Sequence, residues 1–111
     1  MIISKFKKAD FYINLFVGVE KKAGYIFSIS DNDKKVDFTL FKTGTYWNLS
    51  ELTTGLKLPC CGFTTRQYAI DFILQYDAEL FHKVFNQITR SSDFIELFNK
   101  KIADYEAKNA A

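Results

Sequence analysis

The sequence is poor in the residues on which most metal, disulfide and phosphate sites depend. Its 111 residues include one proline, one histidine and two cysteines, and its five glycines stand apart from one another. A zinc site needs about four ligands and a phosphate-binding loop needs clustered glycines, so neither is predicted. No apolar run approaches the ~18 residues of a membrane-spanning helix. These shortages argue against an enzyme, and we expect no cofactor, no metal and no membrane association.

The few residues that could take part in catalysis or metal binding have simpler interpretations. Cys60 and Cys61 are adjacent, and burial as small apolar side chains is favoured, with a redox or metal role left open. His82 borders an apolar stripe, and no Ser-His-Asp arrangement can be assembled around it. The aspartates between residues 31 and 37 lack the central glycine and terminal glutamate of a calcium loop, which indicates a solvated turn.

The amino-terminal segment does not resemble a secretory leader. Its apolar run is interrupted by Asn14, and no small-residue cleavage site follows. Two cysteines without a leader favour a reducing compartment. We therefore expect a cytoplasmic protein.

Aromatic residues, by contrast, are abundant, with 12 Phe, 6 Tyr and 1 Trp. The length and the apolar fraction of 48% predict a single domain over residues 1–111. Each aromatic side chain buries roughly 150–250 Å² when interior, which is a large demand on one small core. We therefore expect some of them to line a groove, a homodimer interface or a partner-binding face.

Residues 1–62 are predicted to be mainly β. Apolar and polar side chains alternate in successive short runs, joined by connections that carry glycine or Asx residues. One such connection is expected at residues 21–24, where Gly24 can adopt a positive φ. The predicted strands are Asp10–Glu20, Tyr25–Ser30, a third containing Val36, Phe38 and Leu40, a fourth over Tyr46–Leu52 and a brief fifth over Leu56–Leu58.

Residues 63–108 are predicted to be mainly α, with apolar residues at helical spacing. Thr64 or Thr65 is expected to cap the first helix, and Ser91 or Ser92 the third. The fold class is therefore α+β, an antiparallel four- to five-stranded meander followed by two or three helices packed on one face. The predicted stripes are Ala69, Phe72, Ile73 and Tyr76; Leu80, Phe81, Val84, Phe85 and Ile88; and Phe94, Ile95, Phe98, Ile102 and Tyr105.

Charge is distributed unevenly, although the net value is only +2. Residues 1–66 carry ten Lys or Arg and six Asp or Glu, whereas residues 67–111 carry five and seven. Exposed aromatics ringed by lysines are typical of a single-stranded nucleic-acid platform. A small nucleic-acid-binding module that uses the basic, aromatic-rich β half is therefore the alternative function.

Several aromatic side chains fall off the main apolar faces of the predicted elements. Aromatic residues often supply the energetic centre of an interface, and neighbouring charges steer association. The same aromatics would also suit a second apolar face covered by the helices or by a dimer mate. The candidate partner-binding residues are Tyr12, Phe16, Phe41, Tyr46, Tyr68, Lys21, Lys22 and Lys42.

A segment between residues 47 and 70 resembles a recurrent piece of small bacterial mobile-element proteins. The likeness is carried by WNL at 47–49, TGL at 54–56, GFTT at 62–65 and AI at 69–70. The chain also resembles stand-alone phage accessory proteins, some of which are anti-CRISPR or anti-restriction inhibitors. The resemblance implies a non-enzymatic binding protein that occludes a bacterial defence nuclease, and it transfers no residue role. A protein partner is therefore expected first, and nucleic acid second.

Overall fold

A computed structural model describes residues 1–59, 62–89 and 92–110. Five antiparallel strands precede three helices, which confirms the predicted α+β class. The strands are β1 (Ile2–Ile3), β2 (Lys7–Asn14), β3 (Val19–Asp31), β4 (Lys34–Thr43) and β5 (Tyr46–Glu51). The helices are α1 (Arg66–Gln75), α2 (Asp77–Ile88) and α3 (Ser92–Asn109). The expectations for Cys60, Cys61 and Ser91 lie outside the described residues.

The 13-residue strand β3 is the centre of the sheet. Along one edge it pairs with β4, which in turn pairs with β5. Along the other edge it pairs with β1 near its end and with β2 near its beginning. The amino-terminal segment therefore lines one side of β3 as two successive pieces, which the predicted meander did not contain.

The sheet curls around Gly24, in the middle of β3. Gly24 pairs with Ala9 in β2 and with Phe41 in β4. A Cβ atom at this position would lie 3.1 Å from the Phe11 ring and 3.2 Å from the Phe41 Cα. Because no side chain intervenes, Phe11 and Phe41 meet edge-on above the strand, with ring centroids 5.9 Å apart. The side of the sheet that carries these rings is here named the inner face.

The opposite, outer face carries the helices. Helix α1 begins after Thr65, whose hydroxyl accepts a hydrogen bond from the Tyr68 backbone N–H at 3.1 Å, so Thr65 is the cap. Helices α1 and α2 place their apolar stripes on the outer sides of β3, β4 and β5. The buried residues of this main core are Phe27, Ile29, Val36, Phe38, Leu40, Leu49, Leu58, Ala69, Ile73, Leu80, Phe81 and Val84.

Helix α3 packs on the outer side of the β2–β3 hairpin. The Tyr12 ring meets the Tyr105 ring at a centroid distance of 5.6 Å. Tyr12 alternates along β2 with Phe11 and Ile13, whose side chains belong to the inner face. Phe98 is the buried residue of α3, and its ring lies against Gly55 in the loop that follows β5.

The predicted strand Asp10–Glu20 is wrong because the chain turns inside it. Strand β2 ends at Asn14, and the Leu15 N–H donates to the Gly18 carbonyl at 3.1 Å, with Gly18 at φ 77°. Leu15 and Val17 continue the apolar alternation through this turn, although both are exposed. Residues 21–24, where the turn was predicted, lie within β3.

Two smaller expectations also need correction. The predicted strand Leu56–Leu58 is reduced to an isolated bridge between Lys57 and Ser50, supported by a 2.8 Å bond from Leu58 N–H to the Leu49 carbonyl. It covers part of the edge of β5, and a second isolated bridge between Trp47 and Phe63 covers another part, which is a common protection of edge strands. Phe94, placed on the apolar stripe of the third helix, is exposed.

Candidate interaction surfaces

The structure disperses the candidate residues rather than bringing them together. Phe16 lies at the tip of the β2–β3 turn, and Tyr68 is exposed on α1. Tyr46 is exposed at the start of β5. Lys21 and Lys42 are exposed on the outer face, since they pair in register with Tyr12 and Trp47.

Phe41 cannot anchor a partner, which corrects its selection as a candidate. Its side chain is only 2% exposed, because the curl of the sheet at Gly24 packs it against Phe11 on the inner face. Tyr12 is half-buried beneath α3. Lys22 faces the inner side and forms an ion pair with Glu20 at 2.8 Å.

One surface collects large apolar side chains that remain exposed. It is built from the β2–β3 turn, the loop after β5 and the first turns of α3, and it encloses a depression of about 480 Å³. We name it the apolar end. Its apolar residues are Leu15, Phe16, Leu56, Phe94 and Leu97, which line the depression, and Val17, which is exposed beside them in the same turn.

The three segments of the apolar end are joined through Asn14. Its backbone N–H donates to the Gly55 carbonyl at 2.9 Å, and its side-chain amide donates to the Thr54 carbonyl at 3.0 Å. The Lys101 ammonium of α3 donates to the Asn14 Oδ1 at 2.7 Å and to the Leu15 carbonyl at 2.9 Å. These bonds hold the exposed residues in a defined arrangement, so the surface is prepared before any partner arrives.

The loop after β5 is itself held by a buried carboxylate. Glu51 is 3% exposed, and its Oε1 accepts a hydrogen bond from the Thr54 N–H at 3.1 Å. The backbone N–H and hydroxyl of Thr53 also donate to this carboxylate. A buried charge is stabilised when its lone pairs are filled in this way. Glu51 therefore stabilises the conformation of the loop.

A second surface lies on the outer face between the two places where helices pack. It is a cleft of about 530 Å³ lined by Lys8, Asp10, Ala23, Tyr25 and Trp47. Lys21 and Lys42 are exposed on the same side of the sheet, as their register partners Tyr12 and Trp47 show. We name this surface, including the two lysines, the basic cleft.

Tyr12 lies beside the basic cleft and has a perturbed hydroxyl. Burial raises the pKa of Tyr12 above its ordinary value of 10.0, and the Glu106 carboxylate raises it further through its charge and by accepting a hydrogen bond. The nearby Lys21 ammonium acts in the opposite direction. The phenol is therefore neutral at physiological pH and acts as a hydrogen-bond donor to α3.

The remaining polar residues form no recognisable reaction centre. His82 is exposed on α2, and its ring meets Phe81 edge-on at 5.3 Å. Within residues 1–59, 62–89 and 92–110, no three His, Cys, Asp or Glu side chains gather closely enough to hold a metal ion. The helices in that same part of the chain include none long and apolar enough to cross a membrane.

Comparison with protein-family models, curated proteins and solved structures finds no match to this chain. The apolar end and the basic cleft are therefore the candidate functional sites of the protein. Sequence reasoning selected Phe16, Lys21 and Lys42 on these surfaces. It missed Leu56, Leu97 and the cleft residues.

Proposed function

We propose that the protein is a non-enzymatic binding protein and that the apolar end is the surface that takes up a protein partner. The observation that carries the proposal is the exposure of Phe16, which is 102% exposed at the tip of a turn. Exposing a phenylalanine in this way gains nothing for the isolated fold. A partner that covers it gains the transfer energy of a whole aromatic side chain.

The exposed apolar area around Phe16 also supports the proposal. The exposed fractions of the six apolar residues amount to between three and four complete side chains. At roughly 200 Å² for each large side chain, this is roughly 700 Å². Monomeric proteins rarely expose a contiguous apolar patch above a few hundred Å², and a standard interface uses ~800 Å² on each side. The apolar end therefore has the size of one side of a stable complex.

The expected partner class follows from the resemblance to phage accessory inhibitors. Such a protein would occlude a bacterial defence nuclease sterically, and the apolar end would supply the contact. A projecting aromatic tip beside a shallow depression suits insertion into an apolar pocket of the target. The mechanism needs no catalytic group on this chain.

The test uses Phe16→Asp and the matched variant Tyr68→Asp, which changes another exposed aromatic residue on α1. Wild type is expected to retain a protein partner from nuclease-treated bacterial lysate. Calorimetry with that purified partner should then show affinity reduced by Phe16→Asp on the order of tenfold or more, the effect of an interface hot spot. Tyr68→Asp should bind like wild type, because Tyr68 lies outside the apolar end.

Three results would contradict the proposal. Capture could depend on nucleic acid, Phe16→Asp could bind as tightly as wild type, or sedimentation could show a wild-type dimer that Phe16→Asp abolishes. If the partner is a nuclease, its activity should fall as one equivalent of wild-type protein is added. Phe16→Asp should leave that activity unchanged at the same concentration.

A further inference from the structure

We infer that the basic cleft is a binding site for single-stranded nucleic acid, separate from the apolar end. Its floor is formed at Ala23 in β3, a small residue that is exposed on the outer face, with the backbone of Gly24 beside it. A shallow depression therefore lies among larger neighbours, and it can receive a flat ring.

An aromatic wall stands beside this floor. The Tyr25 and Trp47 rings lie 6.4 Å apart with an interplanar angle of 38°. The Arg66 guanidinium covers Tyr25 at 5.2 Å from the ring centroid and donates a hydrogen bond to its hydroxyl. The Trp47 backbone N–H donates to the Phe63 carbonyl at 2.7 Å, which fixes the backbone that carries the indole. The ring contact and the Arg66 contacts order the wall before a base stacks on it.

The charges around the cleft favour a polyanion. Lys8, Lys21 and Lys42 are exposed on three adjacent strands of the outer face, whereas Asp10 lines the cleft and Glu106 lies beside it at Tyr12. Lysines around an aromatic wall are the arrangement that binds phosphates while bases stack. A single strand presents the free face of a base, whereas the bases of a duplex are already stacked on one another. The cleft therefore favours a single strand.

The test follows the fluorescence of Trp47, which is the one tryptophan of the chain. Titration with a twelve-nucleotide oligothymidine should quench this emission, and the affinity should fall steeply as salt is raised. A duplex of the same length should quench far less at equal concentration. Ala23→Leu, which fills the floor, should weaken binding on the order of tenfold, the loss expected when one base no longer stacks.

Two lysines of β4 provide a matched pair. Lys42 shares the outer face with Trp47, whereas Lys35 pairs with Ser30 on the inner side and lies 3.7 Å from the Asp37 carboxylate. Lys42→Gln should weaken binding about fivefold at 0.1 M salt and reduce the salt slope by about 0.7, the effect of one lost phosphate contact to a single strand. Lys35→Gln should leave both quantities near wild type.

The direction in which one further substitution changes the affinity distinguishes a polyanionic ligand from a cationic one. Asp10→Asn should strengthen oligothymidine binding, because it removes a negative charge from the cleft. The inference fails if the oligonucleotide does not quench Trp47 emission and shows no salt-dependent affinity, or if the duplex binds as tightly as the single strand. It also fails if Lys35→Gln and Lys42→Gln weaken binding to the same extent. These results are independent of the apolar end, since Phe16→Asp should not change them.

Discussion

Helices α2 and α3 rest on the same outer face of one sheet, but they are attached to it in different ways. Helix α2 has 12 residues and buries Leu80, Phe81 and Val84, whereas α3 has 18 residues and buries Phe98. The other contacts of α3 include the Tyr12–Tyr105 ring pair, the Tyr12–Glu106 hydrogen bond and the hydrogen bonds of Lys101. Helix α2 is thus part of the core.

The apolar residues that α3 does not bury have a consistent position. Phe94 and Leu97 lie in its first turns, beside Phe16 and Leu56. Most of the stability of a protein helix comes from tertiary packing, so a helix with little burial must be held by specific contacts. We interpret α3 as an element kept on the sheet mainly to complete the apolar end.

The largest expected effect comes from a matched pair of core substitutions, Phe81→Ala in α2 and Phe98→Ala in α3. The two side chains are 1% and 2% exposed, so area alone predicts similar losses. Phe81→Ala should lower the free energy of unfolding by about 3–5 kcal/mol, because its cavity lies among well-packed neighbours. Phe98→Ala should lower it by about 2 kcal/mol, because α3 can detach before the domain unfolds. Urea denaturation followed by circular dichroism measures both values.

Native-state hydrogen exchange shows where each loss falls. In Phe98→Ala the amides of α3 should lose protection while those of α2 and β3 keep theirs. In Phe81→Ala all of these amides should lose protection together, since the whole domain opens. Equal losses in every element of both variants would show that α3 is as much a part of the core as α2.

The next effect concerns the polar contacts of α3. Lys101→Met keeps most of the side-chain stem but removes the ammonium that donates to Asn14 and Leu15. We expect a loss of about 1 kcal/mol, a usual value for such bonds at a partly exposed position. Lys100→Met is the control, because Lys100 is exposed on the same helix. A stability change that is the same in both variants would show that net charge, rather than the Asn14 contact, is responsible.

The α+β class was predictable because alternation and helical spacing are local properties of the sequence. The turn at residues 15–18 was not predictable, because Leu15, Phe16 and Val17 continue the apolar pattern although they are exposed. In β3 the role of Gly24 also differs from the expected one. The glycine serves close approach of Phe11 and Phe41 rather than a positive φ.

The geometry of the candidate surfaces depends on contacts between distant parts of the chain. Asn14 reaches Thr54 across 40 residues, the neighbouring Gly55, and Lys101 across 87. A single sequence carries no signal for such contacts. The exposed lysines and Phe16 could be selected by pattern. Their separation into an apolar end and a basic cleft required the register of the sheet.

The smallest expected effect tests the remaining contact of α3 through its pH dependence. The pKa of Tyr12 is raised above 10.0 in the folded protein by burial and by the Glu106 carboxylate, so the folded state favours the neutral phenol. The stability from this contact is fully present below about pH 10, the unfolded pKa of tyrosine, and is lost as pH rises through the folded value. Tyr12→Phe cannot ionise there.

The urea midpoint of wild type should therefore fall more steeply than that of Tyr12→Phe as the pH rises above about 10, the ordinary tyrosine pKa. Every other residue is the same in both proteins, so the difference between the two curves isolates Tyr12. Parallel curves would mean that α3 does not depend on this phenol. The attachment of α3 would then rest on Phe98 and Lys101, and its contrast with α2 would become sharper.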